Sequence, residues 1–132
     1  MKTGDGRQHT LSPVCQTLLI PLVARARGGE AFPALACHDA AAEQLLDQLD
    51  LDLQPYLKDR ITTQNILWRT RVIQSAGRAF FQAHPDSQGV NLGCGLSQHF
   101  QWLDQGCNRW LDSDLPEVMA LRHACLAPDV PR

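Results

Sequence analysis

The chain has 132 residues, 44% of them hydrophobic and 20% charged, with a formal net charge of −2 and a pI near 6.2. That is the composition of one ordinary globular domain, and its charge leaves no electrostatic footprint for nucleic acid or for an anionic membrane surface. Cys15, Cys37, Cys94, Cys107 and Cys125 form no Cys-x-x-Cys pair and share no metal-ligand spacing with the histidines, so they read as reduced thiols and predict no metal site.

Residues Met1 to Thr10 are polar and are expected to be mobile. Ser12-Pro13 then starts a helix, with serine as N-cap and proline at the first helical position. Val14, Leu18, Leu19, Leu22, Val23 and Ala26 follow the helical period, Pro21 predicts a kink, and Gly28-Gly29 ends the run. A second helix spans about His38 to Leu49, starting near Asp39, with Ala42, Leu45, Leu46 and Leu49 on one face. The acidic run Asp47 to Asp52 reads as its solvated end, since no turn glycine or backbone-ligand pattern accompanies a cation site there. A third helix is expected from Thr63 to Ala83, burying Trp68, Val72, Ala76, Ala79, Phe80 and Ala83, and closed by His84-Pro85.

The stretch Gly89-Val90-Asn91-Leu92-Gly93-Cys94-Gly95-Leu96 is a short apolar run entering two glycines. It predicts a strand that turns sharply into a helix, with Gly93 and Gly95 leaving the backbone bare enough for a cofactor. A helical segment from Leu96 to Leu103 follows, stopped by Gly106, and then a short strand Asn108 to Leu111 leads into Asp112-Ser113-Asp114. Asp114 is the expected N-cap of a last helix carrying Pro116, Val118, Leu121, Ala124 and Cys125. No internal repeat, apolar leader or run of about 18 apolar residues interrupts this order, which predicts a cytoplasmic protein.

A carboxylate about 20 residues beyond a glycine turn, at the tip of the neighbouring parallel strand, is where nucleotide-binding α/β folds hold ribose hydroxyls. Asp112 and Asp114 both fit that place. Gln98 stands where a dinucleotide fingerprint has its third glycine, so the pattern favours a nucleoside ligand without phosphates, such as S-adenosyl-L-methionine, over NAD.

The motif Val90 to Leu96, followed by Asp112-Ser113-Asp114-Leu115-Pro116-Glu117-Val118, resembles the leucine carboxyl methyltransferase family, which includes bacterial polyketide-type O-methyltransferases. Thr17-Leu18-Leu19-Ile20-Pro21-Leu22, Trp68-Arg69-Thr70-Arg71 and Arg78-Ala79-Phe80 are similar to it in the same order, so the resemblance runs from about Leu11 to Leu126. It implies an α/β fold: a helical lid over residues 11–84, then, over residues 85–132, the first β-α-β-α of a Rossmann-like class I methyltransferase sheet. The implied cofactor is S-adenosyl-L-methionine, and the implied reaction is O- or carboxyl-methyl transfer to a small molecule or a carboxylate. An arginine of the third helix would pair with the cofactor's carboxylate, Arg69 before Arg71; Gly93 and Gly95 would line it, and Asp114 or Asp112 would take the ribose.

Two departures stand out. The family carries Asp-Thr-Arg where this chain has Ser97-Gln98-His99, and its members run to about twice this length. Two parallel strands would leave both outer edges unpaired, which predicts a truncated chain, a homodimer or a complementing chain. A helical interaction module without cofactor is the alternative; it predicts that Asp114→Ala changes nothing.

Overall fold

The computed structural model describes residues 12–126; the expectation for residues 1–10 lies outside them. Ser12 caps the first helix, its hydroxyl accepting from the Cys15 amide at 3.2 Å. Pro21 has no N–H for the Thr17 carbonyl, and the helix accordingly divides into α1 (Pro13–Thr17) and α2 (Leu19–Arg27) at Leu18. Leu19, Leu22 and Val23 of α2 are buried, whereas Val14, on the other side of the break, stays 40% exposed. Two short 3-10 turns, Gly28–Glu30 and Pro33–Leu35, lead on.

Asp39 caps α3 (Ala40–Gln48), accepting from the Ala42 amide at 3.0 Å. Its Ala42, Leu45 and Leu46 close over Leu19, Leu22 and Val23 to form the core, which also takes in Leu96 and is flanked by Leu121 and Cys125. The core thus draws on both the helical region and the α/β part. A helix of a single turn, α4 (Gln54–Leu57), follows the acidic run; four residues are too few for periodicity to reveal it.

The longest element, α5 (Arg60–Ala83), starts three residues before the expected Thr63, because Asp59 caps it through the Thr62 amide at 3.0 Å and the Thr62 hydroxyl at 2.7 Å. Its packed face also differs from expectation. The buried residues are Thr63, Ile66, Leu67, Thr70, Gln74 and Phe81, while Trp68 is 61% exposed, Val72 52% and Phe80 49%. The helix carries two stripes, and the one with polar members packs inward because those members can be satisfied locally: the Thr70 hydroxyl donates to the Ile66 carbonyl at 2.8 Å.

Strands β1 (Gln88–Leu92) and β2 (Arg109–Ser113) pair in parallel, Gly89 opposite Trp110 and Asn91 opposite Asp112, which makes the fold α/β. Trp110 faces the helices, its ring 6.0 Å from that of Phe81 and 6.2 Å from that of Phe100. The crossover helix α6 (His99–Leu103) is shorter than expected, since the Ser97 hydroxyl bonds the Cys94 carbonyl at 2.8 Å and keeps residues 94–97 in a turn. The last helix, α7 (Pro116–Cys125), is capped at Leu115 without a side-chain bond. Asp114, expected to cap it, turns elsewhere. Among the described residues no helix is long and apolar enough to cross a membrane.

Candidate functional site

The end of β1 is folded back onto the end of β2. The amides of Gly93 and Cys94 both donate to the Ser113 carbonyl, at 2.8 and 3.1 Å. Gly93 has φ +66° and Gly95 φ +51°, left-handed values that L side chains adopt only at a cost. A Cβ on Gly93 would meet nothing within 4 Å, so that position faces open space; at Gly95 the same atom would lie 3.1 Å from Leu18 Cδ2. The end of the broken N-terminal helix therefore covers Gly95 and leaves Gly93 bare.

The Gly95 amide donates to Asp114 Oδ2 at 2.8 Å, and the Leu115 amide donates to Asp114 Oδ1 at 2.7 Å. Asp114 remains half-buried. Asp112, two residues earlier, is in a different situation. It accepts from Asn91 Nδ2 at 3.0 Å, from Trp110 Nε1 at 3.0 Å and from Arg122 Nη2 at 3.0 Å, and its side chain is 12% exposed. Asp112 is thus a strut inside the protein.

Two buried arginines hold the turn from below. Arg122 donates to the carbonyls of Gly95 at 3.1 Å and Ser97 at 2.5 Å while paired with Asp112. Arg25, paired with Asp39 at 2.9 Å, reaches the Leu96 carbonyl at 3.4 Å. Three successive carbonyls thus receive guanidinium donors, each cation balanced by its own carboxylate. Neither arginine was expected at the site. Arg122 was detectable, because it lies one helical turn beyond Val118 on the buried face of α7.

The neighbouring titratable groups are held uncharged. Burial pushes the Cys94 thiol up, only partly opposed by Arg122, and its Sγ lies 3.6 Å from Met119 Sδ. Burial, helped by Arg25, pushes His99 below the ordinary histidine value, and its Nδ1 is buried without a partner. Where the resembling family carries a permanent cation, this chain has a neutral imidazole.

Arg69 and Arg71 flank the buried Thr70 and are both exposed. Arg71 donates to the Ala34 carbonyl at 3.2 Å, tying α5 to the second 3-10 turn; Arg69 makes no hydrogen bond or ion pair with the described residues. No group of three potential metal ligands occurs among the described residues. A cavity of about 290 Å³ lies between α3, α6 and the end of α7, lined by Gln44, Leu45, Gln98 and Gln101, and none of the candidate residues borders it.

A parallel strand whose glycine turn meets the carboxylate ending the next strand is the arrangement by which α/β proteins hold nucleoside ligands. The chain is 32% identical over 118 residues to the tetracenomycin polyketide synthesis O-methyltransferase TcmP of Streptomyces glaucescens, a match taking in 89% of this chain and 43% of that protein. No family model and no solved structure matches. The match supports a family relationship with polyketide-type O-methyltransferases over the part compared, and the chain spans less than half the length of this relative.

Proposed function

We propose that the chain forms the cofactor-binding front of a Rossmann-like methyltransferase that uses S-adenosyl-L-methionine to methylate an oxygen of a small molecule or a carboxylate. The observation that carries this reading is the 2.8 Å bond from the Gly95 amide to Asp114, which brings together two features about 20 residues apart in the chain. Of the two candidate carboxylates, Asp112 is used up by Arg122, Asn91 and Trp110, so Asp114 is assigned to the ribose hydroxyls. Gly93 is the glycine against which a ligand can lie, since Gly95 is covered by Leu18. Arg69, which bonds none of the described residues, is assigned to the ligand carboxylate, for which a planar guanidinium is suited.

The cofactor, when bound, supplies an electrophilic methyl group. The chain's contribution is positional: the two buried arginines fix the turn, Asp114 is oriented by two backbone amides, and the neutral Cys94 and His99 add no competing charge. A carboxylate acceptor would need no general base, whereas an alcohol or phenol would need help in losing its proton.

Calorimetric titration with S-adenosyl-L-methionine tests the reading. Heat is expected with the intact chain, weakened in Asp114→Ala and in Arg69→Ala. A folded chain that gives no heat would remove it. The second reading, an interaction module without cofactor, draws support from the satisfaction of both carboxylates by the protein's own groups; it expects no heat, and on Asp114→Ala a change in stability alone.

A further inference from the structure

The cavity of about 290 Å³ between α3, α6 and the end of α7 lies apart from every candidate residue. Its floor is formed by two buried side chains, Leu45 and Gln98, and its walls by Ala41 and Leu126, which are half-buried. Three exposed glutamines stand at the rim: Gln44 and Gln48, four residues apart on one face of α3, and Gln101 on α6. None of the described residues bordering it is charged. Gln98 is the unusual member. It occupies the N-cap of α6, where Ser, Thr, Asp or Asn would turn a side-chain oxygen onto the first amides of the helix, yet it makes no such bond. Its side chain goes inward instead: the residue is 3% exposed, and its Oε1 is buried without a hydrogen-bond partner. Such an acceptor is a cost to the fold unless something supplies it with a donor.

We propose that this cavity is a binding site for a small neutral ring carrying an amide edge, an N–H beside a C=O, as in a pyrimidine base. Size sets the first limit: 290 Å³ equals the liquid volume of about ten water molecules, room for one ring and its substituents but below the range of drug-sized ligands. Charge sets the second, because an ion brought against uncharged walls would lose water with no counter-charge to replace it. The hydrogen-bonding groups set the third. A carboxamide offers a donor and an acceptor side by side, and pairs with an edge that offers the reverse. Rotation about the last torsion of Gln98 is soft, so either its oxygen or its nitrogen can be turned to the cavity. Gln44, Gln48 and Gln101 repeat the same chemistry at the mouth, while Leu45 and Leu126 cover the ring. The site takes no part in the reaction proposed above, and its occupancy is read without the cofactor.

The test titrates the isotope-labelled 132-residue chain with uracil and follows the side-chain amide signals of Gln98 and Gln101 by NMR. Uracil should shift them saturably, with a dissociation constant on the order of 1 mM, the affinity that a ring of so few atoms can reach. Benzoate, a ring of similar size with a charge and no N–H, should leave them unmoved. Gln98→Leu should weaken uracil binding more than about tenfold without loss of fold, since it removes an unpartnered buried oxygen. Ala41→Trp, which fills the cavity from α3 and keeps Gln98, should abolish binding; either variant suffices if the other fails to fold. The absence of a saturable shift would overturn the proposal. So would an equal response to benzoate, or uracil binding that survives in the variants that fold.

Discussion

The two sides of the sheet are built on opposite principles. On the side of the helices, the turn is held by a network of ion pairs and hydrogen bonds: Arg122 serves Asp112 and two carbonyls, Arg25 serves Asp39 and a third, and Trp110 both packs on Phe81 and donates to Asp112. On the other side, Val90, Leu92 and Leu111 are half or more exposed to water. A buried charge network is costly to break because each removal strands a partner, while an exposed aliphatic side chain has little to lose. The difference predicts that the same kind of substitution has very different consequences on the two sides.

The largest effect is expected from Arg122→Met. It leaves Asp112 in a nearly dry setting without its cation and two turn carbonyls without their donor, and breaking a buried pair in this way costs about 3–5 kcal/mol. Chemical denaturation should show a midpoint shift of that size. A loss below about 1 kcal/mol would mean that water reaches Asp112 and that the network is looser than its distances suggest.

Next comes Leu22→Ala, at a side chain with 0% exposure between α2 and α3, for which truncation typically costs about 2–5 kcal/mol. Gly93→Ala is smaller, about 1–2 kcal/mol, and purely conformational, because its φ of +66° is unfavourable for alanine while the space around it is open. Gly95→Ala should cost more than Gly93→Ala, since it adds a contact at 3.1 Å with Leu18. Equal costs would show that Leu18 yields freely.

What could be read from the chain in advance divides along the same line. The caps at Ser12 and Asp39, the break caused by Pro21 and the glycine turn are decided within a few residues, and local sequence specified them. The packed face of α5 is decided by where the sheet lies. Phe81 goes inward to meet Trp110, and that contact outweighs the more apolar stripe of Trp68, Val72 and Phe80. Asp112 and Asp114 were indistinguishable by spacing; Arg122, brought back by α7, separates them.

A pH experiment sharpens the contrast on the networked side. Burial lowers the His99 value below the ordinary 6.5, so the unfolded chain binds a proton that the folded chain resists. The contribution is therefore present above about 6.5 and is lost as pH falls through the folded value. His99→Gln should flatten stability in that window. An unchanged slope would show that His99 takes up its proton without penalty.

The smallest effect is expected on the bare face, and it is the most instructive. Leu92 is 79% exposed, so Leu92→Asp in the isolated chain removes almost no packing and should change stability by no more than about 0.5 kcal/mol. The substitution would even be expected to improve solubility, because it breaks up an exposed apolar patch beside an unpaired strand edge. A loss of several kcal/mol would mean that Leu92 is covered in solution, either by a second copy or by a rearranged segment of the chain itself. Concentration dependence separates those cases: a second copy makes the midpoint rise with protein concentration, and an internal cover does not. If the effect is as small as expected, Leu92 contributes little to the stability of the chain, in contrast to Arg122 on the networked side.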